Sequence, residues 1–282
     1  MESSVCPICR AMHARPDRRT TDGRWKRRAF QEIAHGCRCG KLLRYCAHDR
    51  TDTAVVRRHP PPDRAWVLEQ GINFDPERWK RAIPDTQAWP AELDDCPVAG
   101  RWPIVDRQRV FAVSRRVSSE LDQPWAATQL LVAALAWGVG TSALDVGRRA
   151  KAFIDPDLNS KLTRAIKVLR VEGPVSAYSA LSRGGSLAVK NLGPSFFTKF
   201  LYFAGYDTDS YMPKPVILDQ HVARALNAYT TDAWSTAGPW SPQQYGTYLD
   251  LVADGASRWD TSQDNVERQL FRRGRQLAKP QP

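Results

Sequence analysis

Ten consecutive residues, Leu130 to Val139 (LLVAALAWGV), carry no hydrophilic side chain. A bilayer-spanning helix needs about 20 such residues, and glycines close this run at Gly138 and Gly140. The segment therefore predicts a helix buried inside a folded domain rather than a membrane span. A hydrophobic content of 42% agrees with a folded chain. The buried helix is expected to begin near Pro124 and to end at Gly138. Helical spacing continues on both sides of it. RQRVFAVSRRVSSEL sets Val110, Val113 and Val117 on one face. ALDVGRRAKAFI, SKLTRAIKVLRVEG and VSAYSALSRGG follow, the last with a glycine pair as its stop. A further helix is expected to end near Lys190 and another to start at Pro194. Ser241-Pro242 and Ser262 are start signals for two more helices. Strand-like alternation is scarce, so residues 106–282 are expected to form one α-helical domain.

The preceding chain differs in character. Residues 1–50 read as a basic module containing Cys and His. Residues 51–105 are rich in Pro and Trp and read as an irregular wrapping segment, with one short helix around FDPERWKRAI. Residues 1–50 hold 12 Lys and Arg against 5 Asp and Glu, residues 51–100 hold 6 against 9, and the remainder holds 23 against 16. Both ends are thus basic and the overall formal charge is +11. Such a balance favours a polyanionic partner, because neutralising phosphates releases counterions. A merely soluble basic protein is the bland alternative. The polar start MESSVCPICR lacks the apolar region of a secretory signal. The expectation is a cytoplasmic chain with no membrane partner and no evident obligate protein partner. Its six cysteines are then metal ligands or free thiols rather than disulfides.

Chemistry concentrates in NLGPSFFTKFLYFAG, from Asn191 to Gly205, and in PVILDQHVARAL just after it. A turn holding Gly193 leads into a helix with Pro194 at its first position. Glycine lets another backbone come close, and the open N–H groups of a helix start suit a phosphate. A plain helix–helix connection has the same appearance. Asp219 follows Val216, Ile217 and Leu218. A carboxylate in apolar surroundings is costly to ionise unless paired, which suits a catalytic group. Asp219 is also well placed as the N-cap of QHVARALNAY. The two roles do not exclude each other.

Helix, hairpin turn, helix, apolar run, Asp and helix together resemble the helix-hairpin-helix DNA glycosylase superfamily. The wording LGPSFFTKFLYFAG…ILDQHVARAL is most similar to bacterial proteins with an 8-oxoguanine DNA glycosylase (OGG) fold, and WGVGTS and NVERQLF fit the same family. The resemblance spans about residues 106–280. It implies a mainly α fold, of the helix-hairpin-helix glycosylase type, preceded by a small Cys-rich zinc-type module. It implies double-stranded DNA as partner, gripped by main-chain groups of Asn191, Leu192 and Gly193, with His221 contacting a phosphate. Asn191 stands where many relatives have a first glycine, and Pro194 has no N–H to offer. The family's catalytic aspartate falls on Asp219, which would activate a water or stabilise the developing sugar cation. Bifunctional members carry a nucleophilic lysine where this chain has Ser195. Serine there implies a monofunctional enzyme that uses water and leaves an abasic site. Lys199, one helical turn on, is the alternative nucleophile. The target base must leave the stack and enter a walled pocket. Trp137, Phe196, Phe197, Tyr202 and Lys199 are candidates for that pocket, with core packing as the other role of the aromatics.

Cys6 and Cys9 (CPIC) with Cys37 and Cys39 (CRCG) form two close pairs, which suit a structural zinc ion. Cys46 or His48 could replace one ligand, and free thiols are the alternative. Cys96 stands alone. No four-cysteine cluster follows the hairpin, so no iron–sulfur cluster is expected. The functional expectation is a DNA N-glycosylase that flips out and excises a modified base. Oxidised guanine or a hypermodified phage base is the substrate expected, the latter in antiphage defence. The rival expectation is a non-catalytic DNA-binding protein that keeps the scaffold.

Overall fold

The computed structural model describes residues 62–208 and 212–278. The proposed zinc ligands Cys6, Cys9, Cys37 and Cys39, with Cys46 and His48, lie outside the described residues. Within them the chain is mainly helical. Eleven α-helices run as α1 (Arg64–Leu68), α2 (Pro76–Ala82), α3 (Arg107–Ser119), α4 (Ala126–Val139), α5 (Ala143–Ala150), α6 (Leu158–Glu172), α7 (Pro174–Leu181), α8 (Pro194–Gly205), α9 (Gln220–Tyr229), α10 (Pro242–Arg258) and α11 (Gln263–Leu277).

The apolar run becomes α4. Eleven of its residues, Ala126–Thr128 and Leu130–Trp137, are buried. It packs against α3, α6 and α8, each of which turns an apolar stripe toward it. On α3 that stripe is Val110, Phe111, Val113 and Val117. Burial of side chains this size contributes roughly 1.5–3 kcal/mol each, so α4 is the centre about which the domain assembles. The expected start signals act as read at Ser241, where the side chain accepts from Gln244 N–H and the Gln244 side chain returns the bond to the Ser241 N–H. Ser262 precedes α11 but makes no side-chain cap bond.

The segment before α3 is more ordered than an irregular wrap. The expected short helix is α2, capped by Asp75. Beside it stand α1, two 3-10 turns and a small antiparallel sheet of strands β1 (Ile72–Asn73), β2 (Val98–Ala99) and β3 (Trp102–Val105), in the order β1-β3-β2. Ile72 pairs with Val105, and Val98 with Pro103. Strands of two to four residues are too short to alternate legibly, which is why the sequence pattern does not reveal them. Phe74, Trp79 and Leu93 join the same buried cluster as α4 and α8.

One expected helix end is corrected. No helix ends near Lys190. The helix stops at Leu181, and residues 182–193 form a run of turns. Gly184 takes a left-handed conformation there (φ 85°), and Ser182 and Leu187 fold back onto α7 through bonds to Tyr178 O and Ala180 O. The hairpin α7–turns–α8 thus has a connection of twelve residues.

Candidate active site

Asp219 ends a buried, extended segment. Val216, Ile217 and Leu218 are fully buried, and their main-chain groups must find partners away from water. Hydroxyls supply them. Tyr245 donates to Val216 O (3.0 Å) and Tyr248 to Ile217 O (2.8 Å). Thr198 on α8 accepts from Leu218 N–H (3.2 Å) while donating to Pro194 O (2.7 Å). The two tyrosines come from α10 and the threonine from α8. Three hydroxyls from two helices therefore fix where the carboxylate stands.

Asp219 is 7% exposed and divides its oxygens. Oδ1 accepts from His221 N–H (2.9 Å) and Val222 N–H (3.2 Å), capping α9. Oδ2 faces Lys199 Nζ at 3.4 Å. Lys199 is itself only 6% exposed. Its ammonium also donates to Ser195 O (2.7 Å) and lies 5.4 Å from the centre of the Phe196 ring. A Cβ on Gly138 would come within 2.9 Å of Lys199 Cδ, so the glycine leaves the channel in which the lysine stem lies. Lys199 is therefore a buried, paired amine, not a solvated surface residue.

Both groups line a cavity of about 380 Å³, within the size range of small-molecule sites. Ser195, Phe196, Trp137 and His221 line it too. The side chains expected to act together thus share one wall. Phe197 and Tyr202 are core residues instead. Phe197 packs edge-on against Tyr178 (4.9 Å), and the Tyr202 hydroxyl donates to the buried Asp264 carboxylate (3.0 Å). Burial holds His221 below the ordinary histidine range, with the Asp219 charge opposing the shift. Arg224 Nη1 lies 3.1 Å from His221 Nδ1. A guanidinium can only donate, so neutral His221 carries its proton on Nε2. The His221 ring stands edge-on to Phe271 (5.2 Å).

Further lining residues were not singled out from sequence. Arg107 of α3 and Glu267 of α11, each 1% exposed, pair at 2.8 Å. Arg107 Nε donates to Gln70 Oε1 (3.1 Å), and its guanidinium lies over the Trp137 (4.9 Å) and Tyr202 (5.0 Å) rings. Trp137 donates to Gln70 O (2.9 Å). Burial pushes the Glu267 carboxyl up to about 7, against the pull of Arg107. The signal that finds this pair is a charge on a buried stripe. Arg107 falls in line with Val110, Phe111 and Ser114, and Glu267 with Val266, Leu270 and Gly274.

The hairpin borders a second, larger hollow of about 1000 Å³. Arg148, Arg149, Lys151, Arg183 and Lys190 line it, with no Asp or Glu. Asn191 is left-handed (φ 68°), the conformation glycine would otherwise supply and asparagine tolerates better than most. Gly193 is extended (φ −82°), and a Cβ there would meet nothing within 4 Å. Its lack of a side chain is not required by packing and leaves the surface open to close approach. Leu192 differs from the expected grip: it is buried, and its N–H is spent on Val189 O (3.2 Å). Ser195 and Phe196 face the first cavity while Gly193, Pro194 and Phe197 face the hollow. The first turn of α8 is the partition between them. Cys96 is buried, and burial pushes its thiol up to about 11. Among the described residues no cluster of His, Cys, Asp and Glu could hold a metal ion, and no helix is long and apolar enough to cross a membrane.

No curated protein and no solved structure matches the chain. A family model does, described as "Putative 8-oxoguanine DNA glycosylase OGG-like protein", over residues 65–271. That span runs from α1 into α11 and contains Gln70, Arg107, Lys199, Asp219 and Glu267. It covers well over half of the chain, and the chain belongs to this OGG-like DNA glycosylase family.

Proposed function

We propose that the protein is a DNA N-glycosylase that draws a modified base of double-stranded DNA into the cavity beside Asp219 and Lys199. The observation that carries this reading is the Lys199–Asp219 pair at 3.4 Å, buried, on the wall of a cavity and one helical turn from a basic hollow. The hollow suits phosphates, which would bind the five cations and the start of α8. His221 Nε2–H is a further donor for a phosphate. A nucleotide held there has its neighbour's base on the far side of the α8 partition, where it enters the cavity.

The buried pair supports an amine route. Lys199 passes a proton to Asp219, and the free amine attacks C1′ of the sugar. The C1′–N bond breaks, its electron pair leaves with the base, and the Asp219 proton neutralises the departing base. Opening of the sugar ring then gives a C=N bond between Lys199 and the sugar. The water route, in which Asp219 deprotonates a water and leaves an abasic site, is the second reading. Ser195 on the cavity wall favours it, because that position carries the lysine in bifunctional relatives. Oxidised guanine is the substrate the family points to; a hypermodified phage base is the other substrate proposed.

Base release from duplexes carrying single modified bases, read by mass spectrometry, tests the enzymatic reading. Asp219→Asn keeps a capping oxygen for α9 but takes no proton. It is expected to lower base release at least about a thousandfold while DNA affinity changes little. Unchanged release by Asp219→Asn refutes the role given to Asp219, and no release by the wild-type protein from any duplex refutes the enzymatic reading and leaves a DNA-binding scaffold.

A further inference from the structure

The outer part of α11 concentrates positive charge. Residues 268–277 hold Arg268, Arg272, Arg273 and Arg275 and no Asp or Glu. The acids of the helix, Asp264 and Glu267, are buried near its start. Other surface cations have partners in this chain, as Lys80 has Asp94 and Arg258 has Asp254. None of the four arginines forms a salt bridge among the described residues. Arg273 Nε donates to the Tyr229 hydroxyl (2.8 Å), and the Arg268 guanidinium lies 3.8 Å from the centre of the Trp66 ring. Arg272 and Arg275 are exposed. Arg275 suits the negative end of the helix dipole, which accounts for one cation in the last turn and not for four along ten residues. The place of this surface gives it a use. α11 enters the cavity wall with Glu267 and Phe271. The Arg275 guanidinium lies one turn on, 6.0 Å from the centre of the Phe271 ring. His221, another wall residue, stands edge-on to the same ring. The hollow with its five cations lies behind the first turn of α8. Cations thus flank the cavity at two different walls.

We propose that the outer face of α11 is a second contact for duplex DNA, in which Arg272 and Arg275 take backbone phosphates on the flank of the extruded nucleotide away from the hollow. A nucleotide that enters the cavity has backbone running on both sides of it, and the hollow takes only one side. Arginine suits the other, because its planar fork gives two N–H groups to one phosphate. The Trp66 ring, 5.5 Å from the Arg272 guanidinium, backs this surface. Phosphate contacts carry no sequence information. The α11 face therefore contributes affinity and register, not choice of base. This inference rests on DNA as the partner in the proposed function and not on which group attacks the sugar.

The test measures binding of the full chain, across a series of salt concentrations, to a duplex carrying one tetrahydrofuran abasic-site analogue, which holds no base to release. Arg272→Gln with Arg275→Gln is expected to make the slope of log affinity against log salt shallower by about two. Binding at about 0.1 M salt is expected to weaken at least tenfold. Arg164→Gln with Lys167→Gln removes the same charge from α6, which lines neither the cavity nor the hollow, and is expected to leave the slope unchanged. Neutral methylphosphonates on each flank of the analogue in turn locate the contact. On one flank they are expected to weaken the wild-type protein and not the α11 variant, and on the other to weaken both alike. An unchanged slope in the α11 variant, an equal change in the α6 variant, or equal weakening of wild type and α11 variant on both flanks would overturn the proposal. A wild-type protein that binds no duplex would refute the DNA reading together with it. Base release is not part of these readouts, so a failure of the enzymatic reading alone is seen separately.

Discussion

Asp219 gives one oxygen to the fold and the other to the site. Its cap on α9 holds the carboxylate still, and its outward oxygen meets Lys199. This residue was legible from sequence because an acidic side chain between an apolar run and a helix has few structural uses beyond capping. Lys199 was legible only as one turn beyond Ser195; its burial depends on Gly138, 61 positions earlier, which no local pattern connects to it. Arg107 and Glu267 are legible only by their place on the apolar stripes of their helices, because a lone charge otherwise looks like an ordinary surface residue. Glu267 makes a prediction of its own. Its carboxyl sits near 7 when folded and near 4.5 when unfolded. Between those values the folded state keeps a proton that the unfolded state releases. Its contribution to stability is therefore complete below about 4.5 and is lost as pH rises through about 7. The size is on the order of 3 kcal/mol. Urea unfolding near pH ~5 and pH ~8 should show the wild-type protein losing about that much more than Glu267→Gln. Parallel losses in the two proteins would contradict the assignment.

Among the elements, α9 and α11 meet closely at Gly274. A Cβ on Gly274 would lie 1.8 Å from His221 O and 2.5 Å from His221 C. That backbone is the first turn of α9, which carries His221 and is capped by Asp219. Gly274 therefore sets the distance between the cavity's two sides, with Glu267 two turns back on the same helix. Gly274→Ala should force the helices apart and cost about 3 kcal/mol or more, since overpacking a seam of backbone has no rotamer to relieve it. Gly147 of α5, with nothing within 4 Å of its missing Cβ, should respond in the opposite sense. Gly147→Ala should gain roughly 0.5–1 kcal/mol in the same urea titration. Similar responses at the two glycines would contradict this account of the seam. Helix starts and stops were largely readable because Ser, Asp, Pro and Gly mark them through local hydrogen bonding. The twelve-residue hairpin connection was not, because AVK reads as a continuing helix yet Leu187 and Val189 bury through turns.

At the scale of the molecule, the cavity beside Asp219 and Lys199 is assembled from segments far apart in the chain. Gln70 and Ile72 come from the stretch before α3, Trp137 from α4, Lys199 from α8, Asp219 from the start of α9 and Glu267 from α11. The helical class was written in the apolar spacing, and the hairpin and Asp219 in the motif. The place of Gln70 on the cavity wall was not, because the Pro- and Trp-rich stretch shows no periodicity and only tertiary packing gives it a position. The molecule then presents a basic hollow and a smaller cavity on either side of one helix start. In the proposed mechanism Lys199 is the group beside Asp219 that attacks the sugar. Borohydride reduction during reaction with 8-oxoguanine duplex, followed by peptide mapping, tests this directly. A covalent protein–DNA adduct on Lys199, absent in Lys199→Gln, is expected. Base release by the wild-type protein with no adduct, or an adduct mapped to another residue, would contradict it.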